Sequence, residues 1–224
     1  MDQSGPAAVL ARKLRGAAGL FKVGNQLFTS EGPNVVKKLA GLGFGIFLDL
    51  KFHDIPNTVA HAVSAGARLP GVRLMTLHTT GGLEMMRAAR DAAAAYGKKR
   101  PQLLGVTILT SMDDSTLREV GLAGPAAIRA VELAKLAQQA GLDGVVASAH
   151  EVAGIRAACG LSFLIVVPGI RPVSSSADDQ ARVATPAQAV ATGADYLVVG
   201  RPITGAADPR KSALAIGREI AEVL

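Results

Sequence analysis

The segment from Phe47 to Thr58 ends an apolar run with charged side chains at Asp49, Lys51 and Asp54. Because side chains alternate along a strand, Asp49 and Lys51 are expected on the same face of it. Burying a carboxylate and an ammonium group is unfavourable unless the two pair. Such a pair can stabilise charge that develops on a substrate and can donate a proton to it. The segment therefore predicts electrostatic and acid/base catalysis, with a purely structural ion pair as the alternative.

Seven short apolar runs rich in β-branched residues alternate with longer alanine-rich segments, which is typical of parallel strands joined by helices. In barrels built this way, catalytic groups lie at the carboxyl ends of the strands, where Asp49 and Lys51 stand. The predicted strands are Leu20–Gly24, Gly45–Lys51, Leu74–His78, Leu103–Leu109, Gly144–Ser148, Phe163–Gly169 and Tyr196–Gly200.

Two helices can be predicted in some detail. Residues Ala126–Ala140 carry polar side chains at three-and-four spacing, which leaves Val131 and Ala134 on the face that packs on the sheet. The last helix is expected to begin at Pro209, with Asp208 as its N-cap. Its predicted buried stripe consists of Leu214, Ile220 and Val223.

A length of 224 residues suits one α/β barrel. We therefore expect a single catalytic domain, residues 1–224, with a (β/α)8 TIM-type fold. A closed barrel needs eight strands, but Met1–Gly5 is polar and Ala7–Gly16 has helical character, so the first strand is missing or atypical. Either the start of the chain is truncated or misassigned, or the barrel is open at one edge.

Charge and composition limit the classes of ligand and partner that we expect for this chain. The net charge of +6 arises from 24 basic and 18 acidic residues scattered along the chain, which favours a phosphorylated metabolite over nucleic acid. Cys159 is the single cysteine, so neither a disulfide framework nor a cysteine-based metal cluster is expected. No signal peptide and no apolar run of about 18 residues is present, so we expect a cytoplasmic protein without a membrane partner.

Residues Asp49–Pro56, Asp-Leu-Lys-Phe-His-Asp-Ile-Pro, resemble the signature of the orotidine 5'-phosphate decarboxylases, a family of ribulose-phosphate-binding barrels. Any one such motif is unspecific, but several in chain order over nearly the whole length are specific. The further matches are Phe21–Gly24, Val106–Met112, Pro168–Arg171 with Asp178–Gln180, and Val198–Pro202. The resemblance implies decarboxylation of orotidine 5'-monophosphate to UMP, the last step of de novo pyrimidine nucleotide synthesis, without metal or cofactor.

The resemblance also assigns residues to the catalytic centre. Lys22, Asp49 and Lys51 match the family's catalytic network. Asp54 and Thr58 match residues that reach into the site of the neighbouring subunit, which implies a homodimer. In this scheme Asp49 raises the energy of the bound substrate carboxylate, and Lys51 stabilises the carbanion and protonates C6.

Substrate-binding residues follow from the same comparison. Thr110 matches the pyrimidine contact, and Asp2 is the candidate for the ribose-binding aspartate because its spacing to Lys22 is close to the family's. Residues 171–183, rich in Ser and Asp, are predicted to form a mobile lid over the phosphate. A guanidinium binds phosphate bidentately, and the loops after the last two strands are the usual phosphate site of a barrel. The remaining substrate-binding candidates are Pro168, Arg171, Gln180, Gly200 and Arg201.

Two other functions remain open. Metal-dependent keto-sugar-phosphate decarboxylases and hexulose-phosphate synthases share the Asp-x-Lys-x-x-Asp spacing, although they carry an acidic metal ligand where this chain has Lys22. An inactive barrel with a binding role is the second alternative. His53 is interpreted as a structural hydrogen-bonding residue and His78 as a minor site candidate.

Overall fold

A computed structural model of the chain describes residues 2–172 and 184–224. Seven parallel strands form one sheet, in which each strand pairs with the next one along the chain. All seven predicted strands are present, and their boundaries differ from the predicted ones by at most three residues. The strands are β1 Leu20–Gly24, β2 Gly45–Phe52, β3 Val72–His78, β4 Gln102–Val106, β5 Gly144–Val146, β6 Leu164–Val167 and β7 Tyr196–Leu197.

Helices cover the outside of the sheet. They are α1 Ser4–Lys13, α2 Asn25–Glu31, α3 Pro33–Gly41, α4 Pro56–Ala67, α5 Gly82–Ala94, α6 Asp114–Glu119, α7 Ala126–Ala140, α8 Val152–Cys159, α9 Pro186–Ala191, α10 Arg201–Thr204 and α11 Pro209–Ala221. Short 3₁₀ turns lie at Thr79–Gly81, Gly97–Lys99 and Ala149–Glu151. No helix among the described residues is long and apolar enough to cross a bilayer.

The sheet curls into the predicted TIM-type barrel and has two apolar layers. One layer lies between the sheet and the helices and includes Leu48, Met75 and Val145. The other is a smaller cluster of Phe47, Leu74, Leu104 and Val166. Strand neighbours alternate between the two layers, as Phe47 and Leu48 do, because successive side chains point to opposite faces of a sheet.

The sheet of the described residues is open at one edge, and the strand that the sequence lacks before Leu20 is also missing there. Within residues 2–172 and 184–224, β7 makes no pairing with β1, and the described residues before Leu20 form α1 rather than a strand. Helix α1 packs against α3 and α11. Residues in or directly after six of the seven strands, all except β3, line a common cavity.

The predicted start of the last helix is confirmed, whereas the predicted buried face of that helix is not. The Asp208 carboxylate accepts a hydrogen bond from the Lys211 backbone N–H at 3.0 Å, so the predicted N-cap is confirmed. The predicted stripe is wrong at two positions, since Leu214 is 41% exposed and Val223 is 42% exposed. The helix instead buries Ala213 and Ile216, which lie three residues apart and therefore on one face of the helix.

Candidate active site

A cavity of about 410 Å³ opens at the carboxyl ends of the strands. Three of the four catalytic candidates, Lys22, Asp49 and Lys51, line it, whereas the fourth, Asp54, does not. Five substrate-binding candidates line it as well, namely Thr110, Pro168, Arg171, Gly200 and Arg201. Residues that lie up to 179 positions apart in sequence, from Lys22 to Arg201, therefore converge on one volume.

Asp49 lies between two ammonium groups. Its Oδ1 is 2.7 Å from Lys51 Nζ, and its Oδ2 is 3.2 Å from Lys22 Nζ. Asp49 is only 8% exposed, whereas the side chains of Lys22 and Lys51 remain 38% and 29% exposed. The lysines thus reach the cavity while the carboxylate is held at its wall.

The electrostatics of this row favour an ionised aspartate. Burial alone raises the pKa of Asp49, but the charges of Lys22 and Lys51 and the hydrogen bond from Lys51 outweigh burial, so the pKa of Asp49 is lowered. The carboxylate therefore carries its negative charge at neutral pH.

The backbone of Lys51 is unusual. Its φ of 52° is the only positive φ of a non-glycine residue in the described part of the chain. The β2–β3 register shifts at this point, where Leu48 pairs with Met75 and Phe52 pairs with Leu77. Regular strand alternation therefore does not place Lys51 at the cavity; a bulge in β2 does.

Thr76 was not among the predicted site residues, although it contacts two of them. Its hydroxyl donates to Asp49 Oδ1 at 3.0 Å and accepts from the Lys51 backbone N–H at 2.9 Å. The available signal was a lone hydroxyl in the apolar strand β3, between Met75 and Leu77. Thr204, on α10, lines the cavity itself and was also not among the predicted site residues.

Two arginines, Arg171 and Arg201, also line the cavity. Arg171 is 8% exposed; its Nη1 donates to the Ile170 carbonyl at 3.1 Å, and its backbone N–H donates to the Ala184 carbonyl at 3.0 Å. Its buried Nε has no hydrogen-bond partner among the described residues. The positive charge of the guanidinium groups that line the cavity favours an anionic ligand there.

The remaining candidates lie elsewhere. Asp54 and Thr58 are exposed and do not line the cavity of their own chain. Asp2 is exposed before α1 and also lies outside the cavity lining, so the structure does not bring it to the site. Gln180, and the predicted lid beyond Pro172, lie outside the described residues.

Two histidines border the catalytic row. The rings of His53 and His78 lie 5.4 Å apart, centroid to centroid. Burial lowers the pKa of His78, and the nearby His53 and Lys51 lower it further, against the opposing effect of Asp49. His78 is therefore a neutral neighbour of the row at pH 7.

Comparison with known proteins gives a consistent result. A model of the orotidine 5'-phosphate decarboxylase / HUMPS family matches residues 4–216. An orotidine 5'-phosphate decarboxylase of Sodalis glossinidius is 55% identical over 200 residues, which cover 89% of this chain and 79% of the relative. One of Nitrosococcus oceani is 52% identical over 217 residues, which cover 97% and 93%.

Solved structures show the same architecture. The crystal structure of orotidine 5'-phosphate decarboxylase from Lactobacillus acidophilus has a TM-score of 0.79 and 41% identity, covering 93% of each chain. An uncharacterized conserved protein from Geobacillus kaustophilus has a TM-score of 0.85 and 38% identity, covering 98% of this chain and 96% of its own. The similarity extends over the strands and helices that build the cavity.

Proposed function

This chain belongs to the orotidine 5'-phosphate decarboxylase / HUMPS family, and we propose that it decarboxylates orotidine 5'-monophosphate to UMP without metal or cofactor. The observation that carries this proposal is that the row Lys22–Asp49–Lys51 lines the same cavity as Arg171 and Arg201. Such a cavity can bind a phosphate and hold fixed charges beside a reacting carboxylate.

Each step of the proposed reaction can be assigned to one of these charged side chains. The ionised Asp49 lies close to the substrate carboxylate and raises the energy of the bound acid, an effect that is relieved when CO2 leaves. The C6–carboxylate bond breaks, and its electron pair remains on C6. Lys51 stabilises this negative charge and then donates its proton to C6, which completes UMP. Lys22 holds the second oxygen of Asp49 throughout.

Phosphate binding supplies the energy for this arrangement. Contacts between the phosphate and Arg171 or Arg201 are remote from C6, so their binding energy can be used to hold the substrate carboxylate against Asp49. The position of Arg171 and Arg201 in the cavity lining supports this role, because guanidinium groups bind phosphate.

The donor set argues against the metal-dependent alternative. Asp49 is the single acidic residue among the described residues that line the cavity, and its two oxygens already bind two ammonium groups. Divalent magnesium prefers several oxygen ligands, and a neighbouring ammonium group repels a cation. Lys22 occupies the position from which a metal ligand acts in those relatives.

A homodimer completes the proposed site. Asp54 and Thr58 are exposed next to Ile55, which is itself 66% exposed. We place Asp54 of one subunit beside Lys51 of the other, which extends the alternating row of charges across the interface. The proposed unit of activity is one catalytic domain per chain, residues 1–224. A cytoplasmic location is proposed because the lone buried Cys159 suits a reducing compartment.

The test compares two substrates. Chelator-treated protein is given orotidine 5'-monophosphate and, separately, a β-keto acid of a sugar phosphate, each with and without added Mg²⁺, and CO2 release is measured. We expect release from orotidine 5'-monophosphate alone, unchanged by Mg²⁺. Mg²⁺-dependent release from the keto acid alone supports the metal-dependent alternative. Silence with both substrates, together with salt-dependent nucleic-acid binding, supports an inactive barrel.

A further inference from the structure

The bulge in β2 lies opposite a single residue of β3. Between the paired residues Leu48 and Phe52 the chain inserts positions 49–51, whereas only Thr76 separates Met75 and Leu77 on the neighbouring strand. The ordinary backbone pairing is lost there, and Lys51 adopts its left-handed conformation. The two catalytic side chains of β2 are thus carried by an irregular piece of backbone.

Thr76 replaces the missing pairing with its side chain. The Lys51 backbone N–H can only donate, so Thr76 Oγ1 is the acceptor of that 2.9 Å hydrogen bond. The single proton of the hydroxyl is then available for Asp49 Oδ1, 3.0 Å away, which as an ionised carboxylate can only accept. One fully buried hydroxyl therefore ties the backbone of one catalytic residue to the side chain of another.

We propose that Thr76 is a positioning residue for decarboxylation: its hydroxyl fixes the left-handed turn at Lys51 and the orientation of Asp49, and thereby aims Lys51 Nζ at the reacting carbon. This inference rests on the proposed function. Thr76 does not line the cavity and so has no direct contact with substrate.

The expected effect falls on turnover rather than on substrate binding. Without the hydroxyl, the Lys51 N–H loses its acceptor and Asp49 Oδ1 loses one of its donors, so both side chains gain freedom to move. Small displacements of reacting groups lower rates strongly, because catalysis depends on alignment. The hydrogen bonds of Thr76 go to Lys51 and Asp49 and not to the phosphate-binding candidates, so we expect the affinity for the phosphate to be retained.

Four variants separate positioning from stability. Thr76→Val removes the hydroxyl with little change of shape, and Thr76→Ser keeps the hydroxyl. Thr79→Val is the matched control, since Thr79 is equally buried and donates to the Val106 carbonyl at 2.9 Å. If Thr76→Val fails to fold, Thr76→Ser and Thr76→Ala form a second pair that differs only in the hydroxyl.

Steady-state kinetics with orotidine 5'-monophosphate give the main result. We expect kcat of Thr76→Val to fall on the order of 10²-fold with KM within about threefold of wild type, and kcat of Thr76→Ser and Thr79→Val to stay within about fivefold. A Thr76→Val enzyme with wild-type kcat overturns the proposal. So does an equal loss of kcat in Thr76→Val and Thr79→Val, or a Thr76→Ser enzyme as slow as Thr76→Val.

Amide hydrogen exchange at Lys51 provides a readout that does not depend on activity. Protection of this amide is expected in wild type and Thr76→Ser and is expected to be lost in Thr76→Val. If wild type leaves orotidine 5'-monophosphate unchanged, the proposed function fails, and exchange at Lys51 still decides whether Thr76 holds the turn. Equal protection in all three proteins contradicts the placing of Thr76.

Discussion

Asp49 shows how neighbouring charges reverse the effect of burial on one carboxylate. Removal from water favours the protonated acid, but Lys22 and Lys51 contact one oxygen each and lower its pKa overall. The same contacts make the carboxylate a fixed negative charge at the wall of the cavity. Burial of a lone carboxylate would be unfavourable, but the ammonium groups of Lys22 and Lys51 stabilise the buried Asp49 carboxylate between them.

A variant of Arg201 tests whether binding energy from the phosphate contributes to the reaction at C6. We expect Arg201→Ala to lower kcat/KM on the order of 10²-fold or more, with part of the loss in kcat, because binding energy from the phosphate is used at C6. Arg87→Ala is the control, since it removes the same charge from an exposed ion pair with Glu84. Catalytic efficiency near that of wild type in Arg201→Ala contradicts this role.

His78 makes a prediction about stability and pH. Its pKa in the folded state lies below the ordinary value of 6.5, so below about pH 6.5 the unfolded chain binds a proton that the folded chain resists. Stability is therefore expected to fall as the pH drops from 7.5 to 5.5, and less steeply in His78→Gln. Urea unfolding midpoints across this range measure the slope. Parallel slopes in the two proteins refute the assignment.

At the scale of elements, two aspartates join neighbouring strands at their amino ends. Asp143 accepts from the Leu103 backbone N–H at 2.7 Å and binds Arg100, and its own N–H donates to the Leu103 carbonyl. Asp195 makes the equivalent contacts with Ile165 and Arg156, and these contacts join β6 to β7. These contacts lie at the end of the barrel opposite the cavity, where residues serve stability.

The β5–β6 pairing makes a prediction about packing. A Cβ added to Gly144 would collide with the Leu164 carbonyl oxygen, and the backbone cannot move away without breaking strand pairing. Gly144→Ala is therefore expected to destabilise the protein by roughly 2 kcal/mol or more. Gly217→Ala is the control, because its helical site on α11 is open and an alanine there stabilises by roughly 0.5–1 kcal/mol. Thermal unfolding of both variants measures these changes in stability. Equal stability of the two variants would contradict the close approach of Gly144 to Leu164.

The elements also show what sequence can predict. Strand order, helix α7 and the cap at Asp208 follow from periodicity and local hydrogen bonding, which depend on neighbours in the chain. The bulge at Lys51 and the contact of Thr76 with Asp49 depend on the pairing of β2 with β3, and the face that α11 buries depends on tertiary packing. Strand alternation correctly predicts that Asp49 and Lys51 point to the same cavity, but it does not predict the positive φ that Lys51 adopts in the bulge.

At the scale of the whole molecule, the site is assembled from several strand ends and, in our proposal, from two chains. The proposed contribution of Asp54 to the partner's site predicts complementation between two inactive variants. In a mixed dimer of Lys51→Ala and Asp54→Asn, one site has both native residues and the other has neither. Unfolding and refolding an equal mixture should restore about a quarter of wild-type activity, since half of the dimers are mixed and one of their two sites works. The separately refolded variants are the control, and a mixture no more active than they are contradicts a shared site.

The central claim is that the row of charges decarboxylates orotidine 5'-monophosphate by itself. The most direct test follows the ultraviolet absorbance of orotidine 5'-monophosphate on addition of chelator-treated protein, with Lys51→Ala in parallel. We predict that wild type removes the substrate band and that Lys51→Ala is slower on the order of 10³-fold or more, because it lacks both the charge beside C6 and the proton donor. A flat trace with wild type, or a Lys51→Ala enzyme as fast as wild type, would contradict the account.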